Sequence, residues 1–196
     1  MSGYVSRRNG GWHDYNDAQK ESFTARGDWQ ANRDTSVKAV LTYNHLDTDM
    51  PGSLFEDDFR HNPGKSYNHF TYREVYASRA SVVVDGDWLD IGGSTLTVYA
   101  RDNSTEQNPS YSIGTRNFPG LGDQLSGRPN DNDFRSLGFD GRQQFKFDWL
   151  DSRLIAGITL DDTDNDYVED NTQVAREAAT GEYLSDSFLS HRRDYA

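Results

Sequence analysis

Five histidines, an aspartate run and a set of arginines on one strand parity are the residues of this chain that could do chemistry. His13, His45, His61, His69 and His191 show no pair spaced as metal ligands on one helix. His61 and His69 share a loop where a metal or haem contact is conceivable; a solvated loop histidine is the ordinary reading. In DDTDNDYVED, residues 161–170, Asp162, Asp164 and Asp166 match the first three positions of a calcium loop. Tyr167 then replaces the required glycine, and Gln173 stands where the bidentate glutamate belongs, so a hydrated surface loop is expected. Arg73, Arg79, Arg101 and Arg142 share one strand parity with Thr71, Tyr99, Gln144 and Lys146. Such a row can pair with carboxylates or attract an anion. No nucleophile elbow or phosphate loop is present, so neither an enzyme nor a resident cofactor is expected.

The elements that must position these residues read as strands. Residues 70–101 form two long alternating runs around Asp85-Gly86, a dipeptide that signals a tight hairpin turn. Tyr72, Tyr76, Ala80, Val82 and Val84 fall on one parity, and Leu96, Val98 and Ala100 answer them after the turn. Upstream, Phe23, Ala25, Gly27 and Trp29 alternate with Thr24, Arg26, Asp28 and Gln30. Val37, Ala39, Leu41 and Tyr43 repeat the pattern, as do Leu137, Phe139, Phe145 and Phe147, and then Leu154, Ala156, Ile158 and Leu160. Residues 3–9 and the stretch from Ser187 add weaker candidates.

Composition sets the bounds. The 196 residues carry a net charge of −12 and no cysteine, with a mean hydropathy of −0.91. Disulfides and thiolate metal sites are therefore excluded, and the acidic balance with no basic stripe argues against nucleic acid. No apolar run reaches the length of a membrane-spanning helix, and the first residues, MSGYVSRRNGG, show no apolar leader.

The predicted connections alternate in length. Short turns fall near residues 32–35, 85–87 and 150–152, and long loops fill 47–69, 102–133 and 161–186. Transmembrane barrels have this asymmetry, and runs of about 9–11 residues are long enough to cross a bilayer. Trp29, Trp88 and Trp149 lie near the short turns, where an interfacial girdle would sit, and Tyr43, Phe70, Tyr72 and Phe134 lie at the opposite ends. The pattern predicts an all-β antiparallel meander of about eight long strands, a partial transmembrane barrel. The plainer alternative is a soluble antiparallel protein whose aromatics fill a core.

The phrases LDTDMPGSLFEDDF, FTYREVYASRASV, YARDNSTEQNPSYSIG and LDSRLIAGITLD resemble the barrel of TonB-dependent outer-membrane receptors, the transporters of ferric siderophores and related nutrients. The resemblance spans residues 3–195. It implies one barrel segment over 1–196, lacking the family's plug domain, TonB box, signal peptide and C-terminal strands. It implies the outer membrane of a Gram-negative bacterium, with lipid and lipopolysaccharide around the wall. The full-length receptor would engage its plug domain, a ferric siderophore or similar ligand, and the TonB–ExbB–ExbD complex. Arg73, Arg79, Tyr99, Arg101, Arg142 and Lys146 would line the lumen and hold the plug or guide an anionic chelate. Tyr67, Phe70, Tyr111, Arg116 and Phe118 would be the ligand candidates in the extracellular loops. Two other functions fit the pattern: a passive porin-like or structural barrel, and a soluble β-rich carbohydrate-binding module.

Overall fold

A computed structural model describes residues 1–89 and 92–195. The strands are β1 (Ser2–Arg8), β2 (Ala18–Asn32), β3 (Thr35–Asp49), β4 (Tyr72–Leu89), β5 (Gly92–Asn108), β6 (Gly114–Phe118), β7 (Gly122–Gly127), β8 (Asn130–Phe147), β9 (Ser152–Arg176) and β10 (Tyr183–Tyr195). One short helix, α1 (Glu56–His61), lies between β3 and β4. The strands join in one antiparallel sheet, in the order β1-β2-β3-β4-β5-β8-β9-β7-β6, and β10 pairs with β9.

Alternation in sequence becomes rows across the sheet. Gly27, Ala39, Val82, Val98, Phe139 and Leu160 stand opposite one another on six successive strands. The rows on either side run from Ala25 through Leu41, Ala80 and Ala100 to Leu137, and from Trp29 through Val37, Val84, Leu96 and Gly141 to Ile158. A slip of one residue in any strand would carry its apolar set to the other face, so this face fixes the register.

The sheet corrects the expected barrel. Among the described residues it has ten strands rather than eight, and it is open: β1 at one end of the path and β6 at the other do not pair. A barrel wall requires its first and last strands to join. The open sheet overturns the expected barrel segment, and with it the assignment to the outer-membrane receptors, the nutrient-import function and the outer-membrane location. Charges guard the open edges, with Arg7 and Arg8 on β1 and Asp161, Asp162 and Asp164 on the free first half of β9. Such charges discourage pairing with foreign strands.

Three local expectations also change. Asp85-Gly86 is not a turn. Asp85 pairs with Thr95 and Gly86 with Ser94, and the hairpin continues to Leu89 opposite Gly92. Gly86 lacks the positive φ that a tight primed turn demands. Most of the expected loop 102–133 is strand, supplied by the end of β5, all of β6 and β7, and the start of β8. The expected loop 161–186 is strand as far as Arg176.

Large buried hydrophobic side chains are few. Among the described residues they are Tyr67, Phe118 and Val174. They sit at the end of the sheet where the long connections meet, beside the buried Ser66, Thr71, Pro109, Ser126 and Thr172. There Thr71 Oγ1 donates to the Met50 carbonyl (2.5 Å), and Met50 N–H donates to the Thr71 carbonyl (2.9 Å).

Candidate functional site

Register places Arg73, Arg79, Tyr99, Arg101, Arg142 and Lys146 on the polar face, opposite the apolar rows. Three of them meet near its centre. Arg79 and Arg101 are cross-strand partners, and both guanidinium groups lie 5.2 Å from the centroid of the Tyr99 ring. Arg101 donates to Asp161 Oδ2 (2.8 Å) and to Ser136 Oγ (2.7 Å), and the Tyr99 hydroxyl donates to the same Asp161 oxygen. Thr163 Oγ1 donates to the other oxygen at 2.6 Å. The bonds from Thr163 and Tyr99 hold the Asp161 carboxyl below the usual carboxylate range. Asp161 in turn pushes the Tyr99 phenol up. The network ties β5, β8 and β9 together.

The other three are dispersed. Arg73 donates to Gln107 Oε1 at 2.7 Å. Arg142 pairs with Asp140 at 2.8 Å, and Asp140 also accepts from Thr159. Lys146 is exposed near the β8–β9 turn.

A polar trough of about 450 Å³ opens on this face at the short-turn end. Its floor is one cross-strand row: Gln30, Ser36, Asp85, Thr95 and Arg142, on β2, β3, β4, β5 and β8. Thr95 Oγ1 donates to Asp85 Oδ1 at 2.7 Å, and Arg33, Asp34, Asp87 and Gln144 complete the rim. Three carboxylates face two guanidinium groups, so the trough is close to neutral and rich in both donors and acceptors. Of the six face residues expected from sequence, Arg142 alone lines it. Reading Asp85 as a turn residue hid the row.

The loop candidates separate by burial. Tyr67 is 4% exposed and Phe118 8%, so both are packing residues. The Tyr67 hydroxyl donates to Asp58, which pushes its pKa up to about 12. Arg116 donates to the carbonyl and hydroxyl of Ser126, both at 2.7 Å, and to the Ser112 carbonyl, which makes it a brace within the β6–β7 excursion. Burial lowers its pKa. Phe70 is half-buried, and Tyr111 is 70% exposed. The short-turn end does gather tryptophans. Trp29 and Trp149 are exposed, and Trp88 Nε1 donates to Thr35 Oγ1 at 3.1 Å.

The other candidate groups are also placed. Asp162, Asp164 and Asp166 lie along strand β9, whose extended backbone cannot curl them round one ion as a calcium loop does. Among the described residues, no group of three or more acidic or histidine side chains is arranged to hold a metal. His61 Nδ1 donates to the Asp57 carbonyl (3.0 Å) in the last turn of α1, while the His69 ring lies 5.6 Å from that of Tyr15.

His45 stacks on Tyr76, with ring centroids 4.2 Å apart, and both contact Glu74 Oε1, at 3.1 and 2.6 Å. The Tyr76 hydrogen bond, then that of His45, lowers the Glu74 pKa. A depressed carboxylate stabilises the fold above its unfolded pKa, and that contribution fades as pH falls through the folded value. Glu74→Gln should therefore cost less than about 1 kcal/mol at neutral pH and flatten the acid limb of a stability–pH curve. Urea titrations across that range check this, and an unchanged acid limb would contradict it.

No family model matches this chain, and no curated protein matches it.

Proposed function

We propose that the chain is a non-catalytic β-sheet binding module whose polar trough takes a neutral, polyhydroxylated ligand of the carbohydrate class. The observation that carries this reading is the row Gln30–Ser36–Asp85–Thr95–Arg142 on the floor of the 450 Å³ trough. Sugar hydroxyls both donate and accept. Amide, carboxylate, hydroxyl and guanidinium groups at fixed cross-strand spacing answer that pattern in a way an apolar pocket cannot. The near balance of charge favours an uncharged ligand over a multiply charged chelate. The floor of the trough sits on strands, so its groups are preorganised and little ordering opposes binding.

The reading makes no use of stacking by loop aromatics, since Tyr67 and Phe118 are buried. Binding to an array of neutral and acidic oligosaccharides, followed by titration calorimetry on the best of them, tests it. Asp85→Ala and Gln30→Ala should each weaken binding roughly tenfold, the worth of one hydrogen bond to a polar ligand. Tyr111→Ala should leave it unchanged. An array on which the folded chain retains no saccharide would overturn the reading.

A further inference from the structure

The face opposite the trough carries apolar rows in the open. Trp29 is 67% exposed, Leu137 62% and Val98 49%. A groove of about 600 Å³ runs along it, floored by Ala25, Gly27, Ala39, Ala80 and Ala100. A chain whose described residues bury Tyr67, Phe118 and Val174 as their only large hydrophobic side chains has left its main apolar surface uncovered. Soluble monomers seldom carry contiguous apolar patches beyond a few hundred Å².

We infer that this face packs against the same face of a second copy, with the strands of the two sheets running antiparallel, to give a two-layer sandwich.

Area supports this occupant. Six strands at about 4.8 Å and three rows at about 6.8 Å give a patch of roughly 29 Å by 20 Å. That is about 600 Å² per partner, the lower end of the range for a specific interface.

Shape supports it as well. A two-fold axis lying along the middle row turns each flanking row onto the other. Ala25 of one copy then meets Trp29 of the second, Ala80 meets Val84, Ala100 meets Leu96, and Gly141 meets Leu137. These four of the six flanking pairs set a small side chain against a large one, as an interdigitated sandwich core requires, while Leu41 meets Val37 and Ile158 meets Asp162 at the β9 edge.

Charge selects the antiparallel arrangement. Toward the long-connection end the same face becomes acidic, with Asp47, Glu74, Glu106 and Asp131 in one row. A parallel pair would stack these carboxylates on one another. The antiparallel pair carries them past the uncharged turn end of the other copy, where Gly86, Ser94 and Gln143 lie on this face.

Sedimentation velocity of the full chain over a wide concentration range tests the inference. We expect a monomer–dimer equilibrium that Val98→Lys weakens at least tenfold and Thr97→Lys, on the polar face, leaves alone. Spin labels at position 82, in the row on the axis, should report one inter-copy distance near the ~10 Å sheet separation lengthened only by the label arms. Labels at position 106 should report a much longer one. The label distances need no folding-sensitive variant, so they decide even if Val98→Lys misfolds. A chain that stays monomeric, a dimer indifferent to Val98→Lys with distant position-82 labels, or a monomer that instead coats phosphatidylcholine vesicles would overturn the inference. None of these outcomes bears on saccharide binding, which uses the other face.

Discussion

Tyr67→Ala should lower the stability of the chain by about 3–5 kcal/mol, the range for emptying a buried aromatic site. Tyr67 is 4% exposed and stands at the meeting point of three separate segments. Its ring contacts Phe55 at 5.2 Å and Tyr183 at 6.4 Å between centroids, and Lys65 Nζ sits 4.6 Å above it. Its carbonyl accepts from Tyr183 N–H at 2.7 Å, which brings the start of β10 beside residue 68. Truncation leaves a cavity that these fixed backbones cannot collapse to fill. Tyr67→Phe keeps the ring and loses the hydroxyl bond to Asp58, and should cost only about 1 kcal/mol. Urea unfolding gives both values through the midpoint at constant slope. A cost below about 1 kcal/mol for Tyr67→Ala would show that the long connections are not held by this contact.

Gly138→Ala should destabilise by about 1–3 kcal/mol although the new group is one methyl. Gly138 is buried on β8 directly opposite Tyr99, whose ring lies flat across it. A Cβ at this position would fall inside the phenol ring, meeting Cζ and the hydroxyl oxygen. The ring must lift, and it then loses Asp161 and its place between Arg79 and Arg101. The cost should shrink by more than half in a Tyr99→Ala background, where nothing occupies the space. That non-additivity is the signature of direct contact, and an unchanged cost in the double variant would place the strain elsewhere.

The apolar rows and the polar parity were legible in the sequence because a period of two survives wherever one face is hydrophobic. Val82, Val98 and Phe139 announce their strands, and Arg79, Tyr99 and Arg101 follow on the opposite side. The ends of β5 and β9 were not legible. Asp102 to Gln107 and Asp161 to Asp166 are polar on both parities, so no hydrophobic contrast marks them as strand. Their pairing is set by the ladder they extend and by cross-strand polar contacts such as Arg73 with Gln107. Asp85-Gly86 misled for a related reason. The dipeptide favours a turn locally, but pairing with Ser36 and Thr35 on one side and Thr95 and Ser94 on the other keeps it extended. The trough row depends on that pairing, so its floor could not be read before the hairpin was placed correctly. Closure of the sheet was illegible too, because alternation reports which face a residue occupies and says nothing about which strands meet at the ends.

The meeting of residues 50–71 with Arg176 and Tyr183 has a consequence for biosynthesis. The β2–β5 meander pairs neighbours in sequence and can form while the ribosome is still at work. Tyr67 emerges well before its packing partner Tyr183, which lies 116 residues further along the chain. The nascent chain therefore carries an assembled meander with an unlatched rim, and a chaperone or protease that samples it then would find residues 50–71 first.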